Sequence, residues 1–238
     1  MQRWLKDLWF DLIAPTNATR VENFDYRGLR LLVGAIGFVL PLALVIRAVY
    51  FGETAYLHSI SAYYHSEGQD IFVGSLCVIG VFLITYQGKG RLDAWLSTLA
   101  GFAALGIAFF PTADVNSNSV SDLNAQLHFL SAGAFFSLLA IFCLFLFPNA
   151  PRFMTFDQRN QYACRRDGIY RGCGYTIVAC LLLIGLVRLM PQWFGSFKPV
   201  FILEWLALAA FGVSWIVAGK YWRFSYLVSP DEGYRIVK

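Results

Sequence analysis

Three kinds of reactive side chain fall within one short stretch of the sequence, Ser59 to Asp70. Ser61, His65 and Asp70 supply a hydroxyl, an imidazole and a carboxylate. Together with the distant His128, His65 and Asp70 form a candidate metal site of two histidines and one carboxylate. Such ligands suit zinc, which acidifies a bound water towards neutral pH. The chemistry predicted is hydrolysis of a lipid amide or ester, with Ser61, His65 and Asp70 as catalytic residues and Ser61 or a tyrosine hydroxyl steadying the oxyanion.

A second set of residues predicts binding without catalysis. Its members are charged or aromatic and fall at the same level of the predicted helices: Arg47, Tyr63, Tyr64, Arg188 and Glu204, with Trp205 beside them. The arginines supply charge-assisted donors for a lipid headgroup or a small anion. Glu204 is too short to reach far towards water, and its alternative role is an ion pair with Arg188 or Arg47. Binding, with transport or sensing as variants, is preferred to hydrolysis because no His-x-x-x-His pair fixes two metal ligands on one helix.

The composition excludes an ordinary water-soluble domain. Apolar residues make up 58% of the 238 positions and charged residues only 14%, with a mean hydropathy of +0.55. Soluble domains carry about 25% charged residues. The excess apolar surface therefore requires lipid as its solvent, and membrane lipids are the expected partners.

Six apolar segments are long enough to approach the roughly 20 helical residues that cross a bilayer. They are Leu29–Phe51, Ile71–Gln87, Ala94–Phe110, Leu127–Phe147, Gly174–Met190 and Val200–Lys220. Helices are expected because an isolated strand leaves backbone groups unsatisfied in hydrocarbon. The predicted fold is an all-α, multi-pass bundle of six spanning helices.

Lysine and arginine placement predicts the orientation of this bundle. These residues concentrate before the first segment, in the second and fourth loops and in the C-terminal tail. Both termini are therefore expected in the cytoplasm, with loops 52–70, 111–126 and 191–199 on the outer side. The net charge of +4 is explained by topology, so no nucleic-acid partner is predicted. The role of the arginine-rich 148–173 loop and the oligomeric state stay open, a homo-oligomer included.

Three regions follow from this reading: a cytoplasmic segment 1–28, a membrane domain 29–220 and a cytoplasmic tail 221–238. Within the first, Trp4, Leu8 and Leu12 share one helical face with charged residues opposite. This pattern predicts an amphipathic helix lying in the membrane interface, or one packed on the cytoplasmic ends of the bundle. The inner half of the bundle itself is expected to hold almost no charged residues.

Two resemblances extend the interpretation. The run Ser61-Ala-Tyr-Tyr-His65, followed by Asp70, is similar to a pattern in the alkaline ceramidase and progestin-receptor-like superfamily of membrane hydrolases. Those proteins have seven helices and a zinc held by three histidines, two of them in a His-x-x-x-His pair on the last helix. The last segment of this chain has Glu204 and no histidine, so the resemblance implies a hydrolase without two of the family's zinc ligands.

The second resemblance is to an uncharacterised group of bacterial multi-pass membrane proteins, distantly DRAM-like in layout. The matching motifs are Ile60-Ser-Ala-Tyr-Tyr64, Asp70-Ile-Phe-Val-Gly74, Tyr86-Gln-Gly88, Pro111, His128, Ser131-Ala132 and Phe135-Phe136. They extend over most of residues 59–147. This resemblance implies a six-helix protein of the bacterial inner membrane and assigns it no activity.

Overall fold

The computed structural model describes residues 26–53, 56–86, 91–112, 123–148, 161–190 and 198–219. This part of the chain consists of helices and connecting turns, without a strand. The helices are α1 (Tyr26–Tyr50), α2 (Gln69–Thr85), α3 (Arg91–Phe109), α4 (Leu123–Ile141), α5 (Gln161–Leu189) and α6 (Pro199–Ala218). A 3-10 helix, Ser61–His65, lies between α1 and α2, and a π-helical turn, Phe142–Leu146, extends α4. The predicted amphipathic helix and the 221–238 tail lie outside the described residues.

Five of these helices are long and apolar enough to cross a membrane, with α4 counted together with its π turn. The remaining helix, α2, is apolar and 17 residues long, which is at the short end of the range for spanning helices. Large apolar side chains such as Leu130 and Leu182 are about 70% exposed on the surface of the bundle, as expected for side chains in contact with lipid. The predicted all-α membrane bundle is confirmed, and the chain is a multi-pass membrane protein.

The six helices form a closed ring in chain order, because each packs against the next and α1 packs against α6. We call the end that carries Ser59–Asp70 the outer end and the opposite end the inner end, following the predicted orientation. Glycine allows close contacts between neighbouring helices: a Cβ at Gly34 of α1 would lie 2.7 Å from the carbonyl oxygen of Gly212 on α6. Close approach through small residues is the usual way that helices associate in lipid.

Aromatic side chains fill the inner half of the helix bundle. Trp215 is fully buried, and its ring centroid lies 5.6–6.2 Å from four phenylalanine rings. They belong to Phe82, Phe142, Phe147 and Phe211. Since these residues come from α2, the end of α4 and α6, the cluster joins helices on different sides of the ring.

One predicted boundary is wrong by more than three helical turns. The fifth segment was expected to begin at Gly174, but α5 begins at Gln161. Arg166 and Arg171, assigned to the fourth loop, are therefore helical. Hydropathy marks only the apolar part of a helix, whereas arginine, glutamine and tyrosine are acceptable helix formers that extend it into the polar interface. The other predicted ends differ from the structure by four residues or fewer, counting α4 with its π turn, which is the usual error of helix boundaries predicted from sequence.

Candidate outer-end pocket

The Ser59–Asp70 stretch crosses the outer end of the ring and is held there by hydrogen bonds to several helices. The backbone N–H of Ile60 donates to the Glu204 carboxylate of α6 at 2.5 Å, and the Ser61 N–H also donates to it. His65 Nε2 lies 2.7 Å from the carbonyl oxygen of Thr112, just after α3. Arg47 of α1 donates from Nε to the Glu67 carbonyl at 3.0 Å. The loop is therefore a fixed cap on the bundle.

Directly beneath this cap is a cavity of about 40 Å³. Its polar lining comes from three residues that are far apart in sequence: Ser61, His128 and Glu204. The rest of the lining is apolar: Leu40, Ile60, Phe72, Leu76, Ile107, Ala132, Phe135, Phe136 and Leu208. The lining has the composition of a small-molecule site, a mostly apolar wall with a few convergent polar groups, and its volume holds a group of only a few heavy atoms.

His128 is the most deeply buried polar side chain of this cavity, at 1% exposure. Its Nδ1 lies 2.7 Å from the carbonyl oxygen of Phe110, at the end of α3. Since a carbonyl only accepts, Nδ1 carries the hydrogen, and this bond fixes the ring between α3 and α4. His128 was expected at the start of its helix, but α4 begins one turn earlier, at Leu123. That extra turn places the ring inside the bundle.

The other two histidines and Asp70 have different surroundings. His58, His65 and Asp70 are exposed, and Asp70 lies in the first turn of α2. Neither His65 nor Asp70 lines the cavity that contains Ser61 and His128. Although His58 is largely exposed, desolvation by its neighbours and the positive charges of Lys198 and Arg188 lower its pKa.

The predicted ligand-binding arginines lie on the rim. Arg47 stacks over the Phe51 ring at 4.1 Å, and Arg188 stacks over the Phe129 ring at 3.7 Å. Tyr63 is fully buried beside Phe201, and Tyr64 packs its ring edge against His65. None of these four predicted binding residues lines the cavity, and among the predicted set Glu204 is the member that does.

The candidate metal ligands do not form a recognisable cluster. Within the described ranges, no group of three or more His, Cys, Asp or Glu side chains is arranged to hold a metal ion. His65 and His128 each use one ring nitrogen towards a backbone carbonyl. Zinc binding by His65, His128 and Asp70 therefore stays a prediction.

An apolar groove on the outside of the bundle, between α1 and α2, lies next to the cavity. Its volume is about 290 Å³ and its lining is Ala35, Ile36, Val39, Leu40, Ala43, Ile71 and Ser75. Leu40 lines both the groove and the cavity, so the two spaces are adjacent at this side chain. The groove could not be predicted from the sequence because its residues, apart from Ser75, are the ordinary apolar residues of any membrane helix.

Comparison with known proteins adds no assignment. No protein-family profile matches the chain, and neither a curated protein sequence nor a solved structure matches it significantly. The two resemblances drawn from short motifs stay predictions.

Proposed function

We propose that this protein binds a membrane lipid at its outer end. The acyl chain lies in the groove between α1 and α2, and the polar group reaches past Leu40 to Ser61, His128 and Glu204. The observation that carries the proposal is that Leu40 lines both spaces. An apolar groove open to lipid therefore lies beside a cavity that holds hydrogen-bonding groups. A lipid is the ligand that has both parts.

The charge of the lining favours a headgroup that donates hydrogen bonds over a small anion. The Glu204 carboxylate faces the cavity, and the lining includes no Lys or Arg among the described residues. The lining offers an anion no positive charge, whereas a hydroxyl or amine can donate a hydrogen bond to an oxygen of Glu204. Hydroxyl-bearing headgroups are therefore the preferred ligands. Transport and sensing would both begin with this binding step.

Photo-crosslinking tests the proposal directly. Purified protein is mixed with a lipid that carries a photoreactive diazirine on its acyl chain, irradiated, and digested for mass spectrometry. We expect labelled peptides from α1 and α2 around Val39 and Ile71. Ser75→Trp fills the groove and should reduce labelling about tenfold, equal to roughly 1.4 kcal/mol of binding free energy. Val78→Trp is the matched control, because Val78 is exposed on the same helix and lies outside the groove lining.

The polar end of the pocket requires a separate variant. Glu204→Gln should weaken binding of a lipid with a hydroxyl-bearing headgroup while leaving the binding of the matching choline lipid unchanged. Labelling spread evenly over all six helices, or equal labelling of Ser75→Trp and Val78→Trp, would refute the proposal.

Hydrolysis of a lipid amide or ester is the second candidate. It gains support from Ser61 and His128 lining one cavity, since a hydroxyl near an imidazole is a common arrangement in acyl transfer. It loses support from the exposed positions of His65 and Asp70. Metal analysis and lipid-turnover assays on wild type and His128→Ala separate the two functions. A stoichiometric metal and turnover, both lost in the variant, would favour the hydrolase.

A further inference from the structure

One carboxyl group of the outer-end pocket belongs to a membrane-spanning helix. Glu204 lies five residues, or about 7.5 Å, beyond Pro199, the first residue of α6. Its hydrogen-bond donors are backbone groups of the Ser59–Asp70 loop: the Ile60 N–H donates to Oε2 at 2.5 Å, and the Ser61 N–H donates as well. Ionisable side chains within a span are energetically unfavourable, and where they occur they often belong to ion or proton pathways.

Positive charge near Glu204 lies outside the pocket. Among the residues that the structure describes, the cavity lining contains no Lys or Arg. The cation that acts on Glu204 is Arg188 of α5, which is exposed and has its guanidinium carbon 3.7 Å from the centre of the Phe129 ring. Carboxyl groups in largely apolar surroundings without a paired cation become neutral by taking up a proton.

His128 is the second titratable group of the cavity lining, and it faces the pocket from α4. Its Nδ1 is bonded to the Phe110 carbonyl, so the backbone of α3 fixes the ring. The other charged or titratable side chains described at the outer end do not line the cavity: Arg47, Glu53, His58, His65, Glu67, Asp70, Arg188 and Lys198. Glu204 is therefore the acidic group of this cavity, which at about 40 Å³ has room for a water molecule.

From this arrangement we propose that Glu204 is a proton-binding site and that proton binding loosens the Ser59–Asp70 loop. A proton from the water at the outer end adds to one carboxylate oxygen, forming an O–H bond and the neutral acid. Charge-assisted hydrogen bonds are roughly twice as strong as neutral ones, so the neutral acid holds the N–H groups of Ile60 and Ser61 less tightly. By linkage, the closed loop favours the ionised carboxylate and the loosened loop favours the protonated acid.

The proton site does not require a lipid ligand. One consequence rests on the proposed function: Ser61 belongs to the loop and lines the polar end of the lipid pocket, so loosening of the loop should weaken lipid binding as the pH falls. Proton binding can be measured on the protein without added lipid. A failure of lipid binding and a failure of proton binding are therefore distinguishable.

Infrared difference spectroscopy measures the protonation directly. The full chain, purified in detergent without added lipid, is titrated with acid, and the C=O stretching band of protonated carboxyl groups is followed. We expect a titrating component of this band that is lost in Glu204→Gln and retained in Glu67→Gln. Glu67 is the matched control, because it is exposed on the same loop.

A nitroxide spin label measures the response of the loop. It is attached to His58→Cys in a variant without the five native cysteines. His58 is exposed two residues before Ile60, and its replacement also removes one titrating histidine. The mobility of the label should rise as the pH falls, with the same midpoint as the infrared component. This comparison needs no substitution at Glu204.

Three substitutions in the labelled protein identify the group that titrates. Glu204→Gln should lose the pH transition and show high mobility throughout, because an amide carries no charge at any pH. Glu67→Gln and His65→Gln should keep the transition. The proposal is overturned if the labelled parent shows no transition, if the two midpoints differ, if the transition or the infrared component persists in Glu204→Gln, or if the transition disappears in His65→Gln.

Discussion

The carboxylate of Glu204 accepts a hydrogen bond from the backbone of Ile60, 144 residues earlier in the chain, at 2.5 Å. Through this bond α6 holds the loop that covers the outer-end pocket. Ser59 supports the same turn, because its hydroxyl accepts from the Ala62 N–H at 3.1 Å. The position of Ser61 over the cavity thus depends on a residue that also lines the cavity.

Replacing Glu204 should loosen the loop in a graded way. Glu204→Ala leaves the buried N–H of Ile60 without an acceptor, which costs about 1–3 kcal/mol. Glu204→Gln keeps one acceptor oxygen and should cost less. Thermal unfolding should therefore give the order wild type, Glu204→Gln, Glu204→Ala, and hydrogen exchange at Ile60 should accelerate in the same order. The exposed Glu67 provides a control, since Glu67→Ala should change stability by no more than roughly 0.5 kcal/mol. Equal stability of the Glu204→Ala and Glu67→Ala proteins would contradict a stabilising hydrogen bond between Glu204 and Ile60.

His128 and His58 should differ in their contribution to stability. His128→Ala removes a fully buried ring and leaves the Phe110 carbonyl without its donor, so we expect a loss of about 1–3 kcal/mol in the free energy of unfolding. His58→Ala, at an exposed position, should cost less than about 0.5 kcal/mol. Denaturant or thermal unfolding in one detergent compares the two. Equal effects would mean that His128 is not buried as described.

The sequence predicts the bundle well because long apolar runs have few alternatives in lipid. It predicts the pocket only in part, and the 3-10 helix gives the physical reason. In an α-helix, Ser61 and His65 would share a face, as residues four apart do. In a 3-10 helix residues three apart align, so His65 is rotated by about a third of a turn from Ser61. Ser61 lines the cavity, and His65 points to the rim and Thr112.

The burial of Asp167, which is 4% exposed near the start of α5, could not be predicted from hydropathy for a related reason. Arg166 and Asp167 precede the apolar part of α5, so a search for apolar runs assigns them to a loop. Their burial depends on where α5 begins and on Tyr170 one turn later, which packs on Phe147 with ring centroids 5.3 Å apart. Only the packing of α5 against its neighbours reveals that these polar residues are inside the ring.

The α1–α6 contact predicts a sharp difference between glycines. Gly34→Ala and Gly212→Ala would place a methyl group 2.6–2.7 Å from a backbone oxygen of the facing helix, and overpacking of this kind costs about 1–3 kcal/mol. Gly133→Ala and Gly185→Ala are matched controls, because a Cβ there meets nothing within 4 Å. Those controls should be neutral or slightly stabilising, since alanine favours helix over glycine. Thermal unfolding of the four variants tests this difference. Equal Tm values for all four would exclude the close contact between α1 and α6.

The orientation of the bundle can be tested with single cysteines in a variant without the five native ones. Glu67→Cys lies in the exposed outer loop, and Gly168→Cys lies near the inner end of α5, where the position is exposed and a Cβ has open space. Because lysine and arginine concentrate in the connections at the inner end, that end should stay in the cytoplasm. A membrane-impermeant thiol reagent applied to intact cells should therefore label Glu67→Cys and leave Gly168→Cys unlabelled until the membrane is permeabilised. The reverse labelling pattern would mean that the bundle has the opposite orientation in the membrane. The lipid pocket would then open towards the cytoplasmic leaflet.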